Sequence, residues 1–264
     1  MNILITGASS GIGEALAHYY AKNANLLNIK TLFLTGRNEE RLTIVSQKCQ
    51  DFGKQSNILI IPKALDVTDR QSMKNWIDEI EQSHSIDLVI ANAGISGGTS
   101  FSMTDQPIDF ESDVEIINTN VIGVMNTLHP FIPYMKKRRA GHLAIVSSVA
   151  SYLALPGAAA YSSSKAAVRF YAEALIGKLK HDNIDVSVIC PGFVESGITR
   201  ANKFPMPFLM SAEKAADIIA KGIARKKNKI EFPLLMVAAI KLVSFLPFWI
   251  KRDIFSQLPE KHSH

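Results

Sequence analysis

Cysteine is nearly absent: among 264 residues only Cys49 and Cys190 occur, far apart and without metal-ligand spacing. That excludes a disulfide scaffold and a thiolate metal site, and it fits two buried thiols in a reducing compartment. Excess charge is small, since 29 Lys and Arg stand against 24 Asp and Glu, a net charge of +5. The balance suits an anionic ligand or an anionic membrane surface. Basic and aromatic residues do not interleave, so no nucleic-acid partner is expected. Repeats and low-complexity linkers are missing as well. The opening MNILITGASSGIG has no basic leader, no apolar core and no cleavage site, so a cytoplasmic protein without a secretory signal is expected. With 47% hydrophobic and 20% charged residues, extensive disorder is excluded and one large domain is the expected count.

Apolar runs of strand length alternate with helix-period segments. Strands are expected at Asn2 to Thr6, Thr31 to Thr35, Ile58 to Leu65, Asp87 to Ala91, His142 to Ser147 and Val186 to Cys190. A long helical stretch is expected from about Glu111 to Lys137, and another helix from about Ala160 to Lys180. Strands separated by helices imply right-handed crossovers. The expected fold is therefore α/β, a doubly wound parallel sheet of Rossmann type with helices on both faces. Residues 1–233 are expected to form one domain of this fold, and 234–264 a hydrophobic C-terminal extension.

The first strand runs into Thr6-Gly7-Ala8-Ser9-Ser10-Gly11-Ile12-Gly13, which opens a helix. Small residues let a pyrophosphate approach the backbone, and a helix N-terminus offers free N–H groups and a positive dipole end. Strand before and helix after lift a weak glycine pattern to a dinucleotide site. The second strand ends at Thr35-Gly36-Arg37-Asn38, with no acid for a ribose hydroxyl and an arginine suited to a 2′-phosphate. NADP(H) is thus the preferred cofactor and NAD(H) the alternative, against the plainer reading of Arg37 as a surface-turn arginine. Asp66, ending the third strand beside Val67, could accept from an adenine amino group or cap a turn.

Thirteen positions separate Ser148 from Tyr161, and Lys165 follows four later, on the same helical face as Tyr161. An ammonium near a phenol is expected to lower the phenol's pKa and bring it into range for acid–base work. Ser148 falls at a strand's carboxyl end, where open α/β sheets hold ligands, and could orient the reacting oxygen. A Tyr-x3-Lys pair alone is more often a surface pair. Its order after the glycine loop and the serine is what points to catalysis.

These motifs, with Asn92-Ala93-Gly94, Asn120 in Asn-Val-Ile-Gly and Pro191-Gly192, resemble the compact single-domain branch of the short-chain dehydrogenase/reductase family over residues 1 to about 233. The resemblance implies that Tyr161 is the general acid in reduction and the base in oxidation. It implies that Lys165 binds the nicotinamide ribose and tunes Tyr161, that Ser148 orients the carbonyl, and that Asn120 organises a water relay behind Lys165. By the same resemblance Asn92, Ala93 and Gly94 pass close to the cofactor, the segment after Pro191 and Gly192 flanks the nicotinamide, and Val194 and Ser196 meet its carboxamide region. Ser196 replaces a threonine common in relatives. Homodimers or homotetramers are implied too.

The substrate is expected to be a small carbonyl or alcohol. Ile95 to Met103, Val149 to Gly157 and Glu195 to Met210 should line its pocket, and the apolar run from Phe204 to Met210 suits a hydrophobic molecule. Between Phe232 and Ile250 the only charge is Lys241, with basic residues flanking the stretch. Thirteen residues between Pro233 and Pro247 would span about 20 Å as a helix, too short to cross a bilayer. The stretch is expected to pack over the substrate mouth, in an oligomer interface, or at the cytoplasmic face of a membrane. The rival readings are a non-catalytic NADP-binding sensor or interaction protein on the same fold, and an epimerase or dehydratase using the same Tyr/Lys pair.

Overall fold

The computed structural model describes residues 1–97, 110–200 and 205–255. Seven strands form one parallel sheet in the order β3-β2-β1-β4-β5-β6-β7. They are β1 (Asn2–Thr6), β2 (Thr31–Gly36), β3 (Leu59–Ala64), β4 (Leu88–Ala91), β5 (Gly141–Val146), β6 (Ile184–Pro191) and β7 (Lys229–Phe232). Along the chain β1 is followed by α1 (Gly11–Lys22) and α2 (Ala24–Leu27), β2 by α3 (Glu39–Gly53), and β3 by α4 (Arg70–Ser83). After β4 come α5 (Phe110–Ile117), α6 (Gly123–Leu128) and α7 (Phe131–Arg138). After β5 comes α8 (Ala159–Leu179), and after β6 come α9 (Gly197–Arg200) and α10 (Ala212–Ala224). Helices α11 (Leu234–Ser244) and α12 (Phe248–Phe255) follow β7.

Alternating side chains of each strand feed two separate cores. Ile3 and Ile5 of β1, Ile90 of β4 and Ile189 of β6 pack with Leu16 of α1, Leu42 and Val45 of α3, and Ile219 of α10. Leu4, Val89, Ile145 and Val188 point the other way, onto Met73 and Ile77 of α4, Leu128 of α6, Phe131 of α7 and Val168 of α8. Burial on both faces explains why β4 reads as an unbroken apolar run and β2 as a nearly apolar one, and both are buried at every residue. β3, at the edge, is exposed at four of six positions and tolerates Pro62.

The six expected strands appear within two residues of their expected ends. Two expectations needed correction. The stretch expected as one helix is broken: a π-turn, Asn118–Ile122, separates α5 from α6, and Pro130, lacking an N–H, stands between α6 and α7. Strand β7 was not expected at all. Its sequence KIEF is only four residues long and half charged, and its place is set by backbone pairing of Lys229–Phe232 with Val188–Pro191.

Candidate active site

All strands end at the same rim, and the chain order reverses between β1 and β4, which opens a crevice there. A cleft of about 480 Å³ occupies it.

At the end of β1, Thr6 ties two turns together. Its hydroxyl accepts from the backbone N–H groups of Asn92 and Ala93, both at 3.1 Å, while the Asn92 side chain donates to the carbonyls of Thr6 (3.0 Å) and Gly7 (3.2 Å). A methyl group on Gly13 would stand 2.1 Å from the Gly7 carbonyl oxygen, so only glycine lets α1 begin this close to the turn. Helices α3, α4 and α10 are capped by the side chains of Asn38, Asp69 and Ser211. Helix α1 has no such cap: Ser10 is exposed and makes no side-chain capping bond. The N–H groups that a cap would satisfy are left facing the cleft.

Gly7, Ser9, Ser10, Gly11 and Ile12 line that cleft, with Arg37, Asp66, Val67, Asn92, Ala93, Gly94, Ser148, Tyr161, Lys165, Pro191, Gly192, Val194 and Ser196. Gly13 and Asn120 stand behind the wall. The Arg37 guanidinium lies 3.1 Å from Glu115 of α5 and 4.0 Å from Asp66. Asp66 is a turn cap: its Oδ1 accepts from the Thr68 N–H and hydroxyl, both at 2.8 Å. On the far wall Ser196 donates its N–H to the Thr199 hydroxyl (2.9 Å), which in turn donates to the Val194 carbonyl (2.8 Å). Of the expected pocket segments, residues 98–103 and 201–204, including Phe204, lie outside the described residues.

Ser148, Tyr161 and Lys165 meet in this cleft. Ser148 follows β5 by two residues and caps a short 3-10 turn, accepting from the Ala150 N–H at 3.1 Å. Tyr161 and Lys165 lie one turn apart on α8, with the ammonium 5.9 Å from the phenol ring centre. Lys165 donates to the Val146 carbonyl at 3.0 Å, which draws it to the end of β5. The expected direction of the tyrosine shift is reversed. Burial pushes the Tyr161 phenol above its ordinary value, with a hydrogen bond from Ser148 pulling back, and burial lowers the Lys165 ammonium to about 8. Removing water costs each charged form more than a partner about 6 Å away restores.

Asn120 is fully buried in the π-turn. Its oxygen accepts from the Ile95 N–H (2.8 Å), and its amide donates to the Ile95 carbonyl (2.9 Å) and the Ser164 hydroxyl (2.9 Å). A methyl on Gly94 would come within 3.0 Å of the Asn120 oxygen and 3.1 Å of the Lys165 nitrogen, so Gly94, Asn120 and Lys165 form one contact. Sequence reasoning missed Arg41 and Thr119, which also line the cleft, while Thr199 falls in the expected segment Glu195 to Met210. Arg41 had a signal, standing in the first turn of α3 four residues after Arg37; Thr119 had none.

The family described as short chain dehydrogenase matches residues 1–205. An uncharacterized oxidoreductase of Myxococcus xanthus is 36% identical over 245 residues, 92% of either chain. The 11-beta-hydroxysteroid dehydrogenase-like protein 3 of Arabidopsis thaliana is 34% identical over 89% of this chain and 74% of its own length. Among solved structures, a short-chain dehydrogenase from Sphingobium yanoikuyae in complex with NADPH has a TM-score of 0.78 at 21% identity, covering 100% of this chain and 98% of that one. One from Burkholderia phymatum in complex with NAD scores 0.79 at 23% identity, covering 100% and 97%.

Proposed function

The chain belongs to the short-chain dehydrogenase/reductase family of oxidoreductases, and on that premise we propose that it interconverts a hydrophobic ketone and its secondary alcohol with NADP(H) as preferred cofactor. The observation carrying this reading is that Ser148, Tyr161 and Lys165 converge in the same cleft as the glycine turn and Arg37.

The cleft fits a dinucleotide. The uncapped start of α1 suits a diphosphate, and Arg37 with Arg41 suits a 2′-phosphate. Asp66 and Val67 would border the adenine. Asn92, Ala93, Gly94, Pro191, Gly192, Val194 and Ser196 would border the nicotinamide half. Bound there, the nicotinamide would donate or accept the hydride.

The chain's own residues would handle the proton. The Ser148 hydroxyl, held at the end of β5, hydrogen-bonds the reacting oxygen. Tyr161 keeps its proton through neutral pH because burial raises its pKa, so it enters reduction as a loaded acid. As the proton leaves, the Lys165 ammonium stabilises the phenolate that forms. Asn120 acts by position, holding Ile95 and, through Gly94, the place of Lys165. The apolar cluster of Val149, Phe193, Met236, Val237 and Ile240 begins one residue from Ser148 and favours a hydrophobic substrate. Relatives named as hydroxysteroid dehydrogenase-like make steroid ketones the first class to try.

A ketone panel followed at the nicotinamide absorbance tests the reading. Turnover should fall at least about 100-fold in Tyr161→Phe while NADPH affinity stays within about twofold. An equally active variant would remove Tyr161 from the mechanism, and tighter binding of NADH than NADPH would reverse the cofactor preference. Binding of NADPH with no turnover across the panel would favour the sensor reading.

A further inference from the structure

Helix α11 presents an apolar face that no described residue covers. Successive residues turn by about 100°, so Leu234, Leu235, Ala238, Ala239, Leu242 and the adjoining Phe245 fall within one arc of about 140°. Leu234, Leu235, Leu242 and Phe245 are 76%, 72%, 71% and 86% exposed. The opposite side, Met236, Val237 and Ile240, packs on Val149 and Phe193. Lys241, the one charge in the helix, bonds Glu231 at 2.7 Å and so leaves the outer arc uncharged.

The chain on either side of this face is basic. Between residues 225 and 251 there are six Lys and Arg and one acid, Glu231. Asp185 pairs with Lys226 and Glu173 with Lys229, each within 2.9 Å, which leaves an excess of three positive charges. Arg225 and Lys227 are exposed.

We propose that the outer face of α11 lies flat on an anionic lipid surface, its leucines and Phe245 entering the headgroup–acyl boundary and the flanking basic residues meeting lipid phosphates. The helix cannot span: its 11 residues measure about 16 Å, and no helix among the described residues is long and apolar enough to cross a membrane. A second copy is a poorer occupant. A two-fold contact would set one basic flank against another. The inference does not depend on the enzymatic reading.

Sedimentation of the full chain with vesicles of phosphatidylcholine, alone or mixed with phosphatidylglycerol, tests the proposal. Binding is expected only to the mixed vesicles, weakening with added salt. It should be lost in Leu235→Glu/Leu242→Glu/Phe245→Glu, whose side chains are exposed and whose fold should survive by circular dichroism. Lys227→Glu should weaken it about fivefold or more. Trp249, 64% exposed, should shift to shorter-wavelength emission on the same vesicles, while Trp76 is buried and gives a constant background. Absence of binding to mixed vesicles would overturn the proposal. So would equal binding by the triple-Glu variant, or a triple-Glu variant that sediments as a smaller oligomer yet binds vesicles like the wild type.

Discussion

A buried ammonium burdens the folded chain, and Lys165 carries that burden inside the proposed site. Its pKa falls from an ordinary 10.5 to about 8. Below pH 8 both folded and unfolded chains hold this proton, and the folded state bears the full cost. As pH rises from 8 towards 10.5 the folded state sheds the proton first and the cost disappears, so stability from this group increases with pH. Lys165→Met should therefore be more stable than wild type at pH 7. The gain is on the order of 3 kcal/mol, less the roughly 1 kcal/mol of the lost bond to the Val146 carbonyl. It should shrink in urea titrations repeated above pH 8. Catalysis should move the opposite way: the reductive rate of the wild type should decline as pH passes about 8, where Lys165 loses the charge that supports the phenolate. A variant no more stable than wild type at pH 7 would show that the lysine is hydrated in solution.

Elements differ in how far their glycines are constrained, and two single-methyl additions measure it. In Gly13→Ala the new methyl meets the Gly7 carbonyl at 2.1 Å and the Asn92 amide at 2.6 Å, so α1 must pull away from the turn. A loss of about 1–3 kcal/mol is expected in denaturant melts, together with weakened nucleotide binding. Gly177, in α8, has no described residue within 4 Å of the added methyl, and Gly177→Ala should stabilise by about 0.5–1 kcal/mol through helix propensity alone. Elements also differ in how readable they were. Strands buried on both faces, such as LVIA in β4, announce themselves by composition. β7 does not, because its place comes from a neighbour's backbone rather than from its own apolarity. The π-turn around Asn120 was hidden inside a long helical stretch, since neither glycine nor proline marks it within Asn118–Ile122. Ser148, Tyr161 and Lys165 were legible because they keep a fixed spacing around one strand and one helix. Glu115 beside Arg37 was not: 78 positions separate them, and only the packing of α5 against the rim brings them together.

At the scale of the whole molecule, seven parallel strands give the fold two unlike poles. Every turn that lines the cleft leaves the carboxyl end of a strand. The turns entering the strands, such as the exposed Lys54–Asn57 segment before β3, contribute nothing to it. A short glycine-serine peptide inserted after Gln55 should leave nucleotide affinity unchanged, and a tenfold loss would mean that the poles communicate. Tags, dyes and surface tethers can then be fixed to the blunt pole while the opposite rim is free to vary. A library confined to the rim would search for new chemistry without rebuilding the packed sheet and helices beneath it.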